Sequence, residues 1–242
     1  MTIFGGTHAG LVRSHNQDRF ECAVLSDTLA FGVLCDGIGG ENGGAVAAEL
    51  AAGFAASTLE RSLNGEISEA SLRSILQSAF AGANALVIET AKQDESLAGM
   101  GTTMIAAVRL GENLYLSNVG DSRAYLLSQD KEVLLSRDHT LVQMMVDSGE
   151  LSYQEAQNHP NRHYLTRAVG ADAALDVDFS VHQLSGGDIV LLCSDGLYNY
   201  FEPGSVYALV HAAMEAGSAD SLIEYAISGG GSDNITAVCM KV

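Results

Sequence analysis

The 242-residue chain has no tryptophan, only two prolines, and 12 lysines and arginines against 30 aspartates and glutamates. Each shortage excludes something. A formal net charge of −18 disfavours nucleic-acid binding through a general basic surface, and docking on an anionic membrane equally. No uncharged apolar run approaches the roughly 20 residues of a membrane-spanning helix. No N-terminal signal pattern is visible, so a cytoplasmic protein is expected. With Pro160 and Pro203 the only prolines, and no low-complexity tract, nothing marks a domain boundary, and residues 1–242 read as one domain. Cys22, Cys35, Cys193 and Cys239 lie in apolar stretches without CxxC spacing, as buried reduced thiols do. No G-x-x-x-x-G-K-[ST] loop is present, and Gly229-Gly-Gly-Ser232 is not a nucleotide loop. His159 and His163 are four apart, but Pro160 breaks the helix that a zinc pair at that spacing needs.

What is there is apolar. Hydrophobic residues make up 47% of the chain and charged ones 17%, enough for one sizeable core and too apolar for disorder. Strand-like runs come in two groups. Residues 3–10, 20–25 and 30–35 open the chain, and 101–110, 113–119, 122–127 and 132–135 form the second group. Between them lie an alanine-rich helical stretch at 41–63 and a helix from Ser68 to about Lys92. In the latter Leu72, Ile75, Leu76, Ala79, Phe80, Ala83, Leu86 and Val87 repeat every 3.6 residues. Short helices are expected at 141–148 and 153–158, an irregular loop at 159–172, and strands at 176–184 and 189–193. Helices at 205–214 and 220–227 and a closing strand at 234–242 complete the reading. Strict βαβ alternation is absent, which argues for mostly antiparallel sheets covered by helical layers.

Four aspartates stand where apolar runs stop or start. Asp36 ends FGVLCDG, Asp121 follows NLYLSNVG, Asp195 ends DIVLLCSDG and Asp233 opens DNITAVC. Strand ends at one rim of a sheet can converge, and converging carboxylates repel unless cations lie between them. Oxygen donors without thiol or imidazole partners suit hard divalent ions such as Mg²⁺ or Mn²⁺. A lone Asp-Gly is a turn far more often than a metal site, but two of them cap the similar runs VLCDG and LLCSDG. The glycine in Asp36-Gly37 also lets the backbone approach an ion and offer its carbonyl. In Arg13-Ser-His-Asn-Gln-Asp18 the arginine is either a surface ion-pair partner or a planar fork for phosphate oxygens, with Asp18 holding water beside the metals. Asp138-His139 is a candidate for hydrogen bonding near the site.

In order, RSHNQD at 13–18, LCDGIGG at 34–40, GTT at 101–103, VGDSRAYLL at 119–127, RDHTLVQ at 137–143, HPNRHYLTRAVG at 159–170, GDIVLLCSDGL at 187–197 and GGGSDNIT at 229–236 span nearly the whole chain. No one run is decisive, but the ordered set resembles the metal-dependent serine/threonine protein phosphatases of type 2C, in their compact bacterial form. The resemblance implies an α+β fold, a four-layer αββα sandwich of two mainly antiparallel sheets flanked by helices, with a flap subdomain at about 141–172.

It also implies two Mn²⁺ or Mg²⁺ ions bridged by Asp36, with the Gly37 carbonyl on one and Asp195 and Asp233 on the other. A third ion would be held by Asp121 with Asp195. Arg13 would bind phosphate, Asp18 would hold metal-bound water, and a bridging water activated by the ions would hydrolyse phosphoserine and phosphothreonine esters. Phosphorylated proteins and an opposing Ser/Thr kinase are the implied partners. A catalytically silent regulatory module on the same fold is the alternative. Ile38 and Glu41 depart from the family pattern, standing where relatives carry histidines, so the leaving group's acid is not assigned. His139 is one candidate, and Glu41 is expected to be dispensable.

Overall fold

The computed structural model describes residues 1–40, 42–63 and 67–242. The Glu41 expectation therefore lies outside the described residues. Two antiparallel sheets face each other. One has the order β1 (Thr2–His8), β11 (Ile235–Lys241), β10 (Ile189–Cys193), β7 (Arg123–Ser128), β8 (Lys131–Leu134). The other runs β2 (Asp18–Ser26), β3 (Leu29–Ile38), β5 (Met104–Leu110), β6 (Asn113–Val119), β9 (Asp178–Gln183), with the short β4 (Gly101–Thr102) paired to the end of β3.

Three apolar layers hold the sandwich together. Between the sheets lie Leu34, Ile105, Leu116, Leu126, Val190 and Val238. Outside the second sheet, α1 (Gly43–Ser62) and α2 (Glu69–Gln93) bury Ala47, Ala51, Leu59, Leu76 and Phe80. Outside the first sheet, α6 (Val206–Ala216) and α7 (Asp220–Ser228) bury Val210, Ala213 and Leu222. The fold is α+β, with the layers helix, sheet, sheet, helix. Strands such as β3 and β10, covered on both faces, are continuous apolar runs, not alternating ones. Ser68 caps α2 by accepting the Ser71 N–H. All four cysteines are free, and three are buried. Among the described residues no helix is long and apolar enough to cross a membrane.

Several boundaries differ from the pattern-based expectations. The expected strand 101–110 is interrupted at Thr103, whose side chain and backbone bond to Asp36 instead of continuing the ladder. The runs 176–184 and 189–193 join strands of different sheets, so Ser185-Gly-Gly187 is a crossover between layers. Asp36 lies inside β3, two residues before its end, and Asp195 opens a short helix, α5 (Asp195–Tyr198), that periodicity does not reveal in four residues. The two short helices expected before the irregular stretch are present as α3 (Leu141–Asp147) and α4 (Tyr153–Gln157).

Candidate metal centre

Antiparallel pairing brings the relevant strand ends to one edge of the sandwich. Asp36 is opposite Asp18 across the β2–β3 ladder. Its N–H donates to Thr103 Oγ1 (2.9 Å) and its carbonyl accepts the Thr103 N–H (2.8 Å). Thr103 Oγ1 also meets Ser122 Oγ at 2.7 Å, beside Asp121 in the β6–β7 turn. The Gly37 N–H donates to the Gln17 carbonyl, and a Cβ at Gly37 would run into the Gly44 carbonyl of α1. Only glycine allows that approach.

Asp195 and Asp233 come from the other sheet, and Asp18 ties the two sheets together. Asp18 Oδ2 accepts from Ser194 Oγ (2.8 Å) and from Thr236 Oγ1 (2.6 Å), and Thr236 Oγ1 also meets Thr7 Oγ1 at 2.7 Å. A Cβ at Gly196 would strike the Asn234 carbonyl, so α5 rests directly on the segment carrying Asp233. Arg13 Nη2 donates to Asp233 Oδ2 at 2.8 Å, with the arginine side chain more than half exposed. Of the two sequence readings, this contact is the ion pair.

The carboxylates perturb one another. Burial pushes the Asp36 carboxyl well above its ordinary range, and the charges of Asp18, Asp195, Asp121 and Asp233 push the same way. Burial also raises Asp18 to about 6, against the lowering by its bonds from Thr236 and Ser194. Asp121 is raised to about 8, by burial and then by Asp195 and Asp138. Asp18 Oδ1 is buried without a hydrogen-bond partner, and a bond to Asp36 exists only when the two share a proton. Among the described residues no three His, Cys, Asp or Glu side chains are gathered around one ion position. Asp18, Asp195, Asp121 and Asp233 all act on Asp36 through their charges. A buried, unpartnered Asp18 Oδ1 opposite Asp36, in a set of carboxylate and hydroxyl oxygens, has the donor chemistry of Mg²⁺ or Mn²⁺.

The surrounding residues brace this edge. Arg123 binds Asp138 through Nε (3.1 Å) and Nη2 (2.7 Å), and its guanidinium carbon sits 3.8 Å over the Tyr198 ring, fastening α5 to β7. His139 is buried; its Nδ1 accepts the Gly120 N–H (3.1 Å), and its Nε2 faces Asp178 (3.2 Å) and Arg167 (3.2 Å). Both ring nitrogens are engaged, so His139 braces the Asp121 turn. His163, which sequence reasoning set aside as a zinc ligand, places Nδ1 3.6 Å from Asp195 Oδ2. Ser194, Thr236 and Asn234 lie within the quoted runs, but nothing in their residue types separates them from ordinary strand-end residues.

Comparison with known proteins shows the family. The family model for protein phosphatase 2C matches residues 6–224. A serine/threonine phosphatase stp of Listeria innocua is 34% identical over 193 residues, covering 80% of this chain and 76% of that one. The crystal structure of the Mycobacterium tuberculosis serine/threonine phosphatase PstP superposes with a TM-score of 0.88 at 32% identity, covering 99% of this chain and 97% of that one. A PstP catalytic domain in complex with 2 manganese ions matches with a TM-score of 0.82 at 31% identity, covering 98% and 96%. The chain belongs to the protein phosphatase 2C family. It is an enzyme of that class, a metal-dependent phosphoprotein phosphatase with the fold of the bacterial members.

Proposed function

We propose that this enzyme hydrolyses phosphoserine and phosphothreonine esters in cytoplasmic proteins, in opposition to a Ser/Thr kinase. We assign Asp36, the Gly37 carbonyl, Asp195 and Asp233 as holders of two divalent ions, and Asp121 with Asp195 as holder of a third. Bound Mn²⁺ or Mg²⁺ would lower the pKa of water and offset charge on the phosphoryl oxygens.

The chain's own residues do the rest. Arg13 offers a guanidinium fork to the phosphoryl oxygens, exchanging its Asp233 contact for the substrate. Asp18, anchored through Oδ2 by Ser194 and Thr236 and opposite Asp36 in the ladder, leaves Oδ1 unpartnered to orient water. The Thr103 bonds fix the Asp36 backbone, so that the central carboxylate needs no reorganisation. Residues 141–172 serve as a flap over this edge of a single catalytic domain, with His163 directed at Asp195.

The observation that carries the reading is geometric: Asp36 is paired with the buried Asp18 across the β2–β3 ladder, within the electrostatic reach of Asp195, Asp121 and Asp233. The test is phosphate release from a phosphothreonine peptide with Mn²⁺ and then with excess chelator, for wild type and Asp195→Ala. Metal-dependent turnover that disappears in the variant supports the assignment. A folded, metal-binding wild type without turnover on any phosphopeptide refutes it.

A further inference from the structure

The turn between β1 and β2 carries two apolar side chains where burial does not explain them. Leu11 is 65% exposed and Val12 71%, and Arg13 follows directly. Their backbone is nevertheless held firmly. The Leu11 N–H donates to the Gly231 carbonyl at 2.7 Å. The Asn234 side-chain amide donates to the carbonyls of Ala9 (2.9 Å) and His15 (3.0 Å), and its oxygen accepts the Gln17 N–H (2.8 Å). Gly10, at φ +79°, sits so tightly on the Gly231–Asp233 backbone that no side chain fits there. A mobile loop exposes apolar groups at little consequence, whereas this one presents them in a fixed position beside the arginine that faces Asp233.

We infer that Leu11 and Val12 form an apolar rim that selects extended phosphoprotein segments with large apolar residues flanking the phosphorylated serine or threonine. The inference rests on the phosphatase reading of the site. Continuity decides the occupant: the rim adjoins the phosphate-facing Arg13 within one rigid turn, so a segment whose phosphoryl group reaches Arg13 lays its flanking residues on Leu11 and Val12. Charge points the same way, because a chain of net charge −18 disfavours acidic flanks. Ordering of the turn before binding means that its contacts raise affinity without a further entropic cost.

The test compares p-nitrophenyl phosphate with three phosphothreonine peptides that differ only in having Leu/Val, Ser or Glu on both sides of the phosphothreonine. The enzymes are wild type and the double variant Leu11→Ser/Val12→Ser, both with Mn²⁺. Wild type is expected to favour the Leu/Val peptide over the Ser peptide by about tenfold in kcat/KM, mostly through KM. The double variant is expected to lose that preference while turning over p-nitrophenyl phosphate unchanged. Equal wild-type rates on the Leu/Val and Ser peptides, or a preference that survives in the variant, overturns the inference with the phosphatase reading intact. Absence of p-nitrophenyl phosphate turnover in wild type overturns that reading itself, and the inference with it. A wild-type dimer in sedimentation that the variant converts to monomer, with peptide preference unchanged, reassigns the rim to self-association.

Discussion

Asp18 and Asp36 face each other on one rung of the β2–β3 ladder, a fully buried carboxylate directly opposite a half-buried one. Like charges so placed oppose pairing. The fold tolerates them because Ser194 and Thr236 donate to Asp18 from the other sheet.

Asp18→Asn is expected to stabilise the metal-free protein. The asparagine oxygen keeps the two hydroxyl donors, and its amide donates towards Asp36 where Oδ1 has no partner. With Asp18 held at about 6, relief is about 1–3 kcal/mol at neutral pH. Because the folded pKa is raised, the gain should grow as pH rises from about 4 towards 7. Chemical denaturation of the chelator-treated proteins at several pH values measures it, and an unchanged or lower midpoint at pH 7 contradicts the account.

Saturating Mn²⁺ should raise the Tm of wild type and excess chelator should reverse it, since ligands that bind only the folded state stabilise it, by about 2.7 kcal/mol at one hundred times Kd. Asp195→Ala should blunt the Mn²⁺ shift and lower kcat by about a hundredfold or more. Differential scanning fluorimetry and phosphate release read the two effects separately.

Arg13→Met removes the guanidinium beside Asp233 without disturbing the core, as the side chain is largely exposed. We expect kcat/KM to fall about ten- to a hundredfold with Tm nearly unchanged. Arg13→Lys should recover little, because a point charge lacks the planar fork. Full activity in Arg13→Met would return the residue to the role of a plain ion pair.

Gly196→Ala should be among the most damaging small substitutions. The new Cβ strikes the Asn234 carbonyl, so either α5 or the Asp233–Asn234 segment has to move, at a cost of about 1–3 kcal/mol. Both carry candidate ligands, so the variant should also lose Mn²⁺ affinity, measurable by isothermal titration.

Burial lowers the pKa of the His139 imidazole from its ordinary value, partly opposed by Asp178. The unfolded chain therefore binds the proton more readily, and stability should fall as pH drops below about 6.5. His139→Asn, whose side-chain oxygen can accept the Gly120 N–H, should show a shallower loss across that window in denaturation midpoints.

The sequence carried a large part of this protein. Core residues and helix positions follow from local pattern: the 3.6-residue repeat of α2, its Ser68 cap, and the doubly covered runs of β3 and β10 are all visible in residue order. So are the aspartates, because Asp-Gly after an apolar run and Asp before one are local signals. Other features have no local signal. The break at Thr103 exists because Asp36, 67 residues away, takes its hydroxyl. Ser194 and Thr236 matter because they meet Asp18 across the two sheets, and His163 because the chain after α4 returns to Asp195. Residue order sets burial and secondary structure, which depend on near neighbours. Only the packing of two sheets decides which carboxylates share an electrostatic field, since that depends on distances between strands remote in sequence.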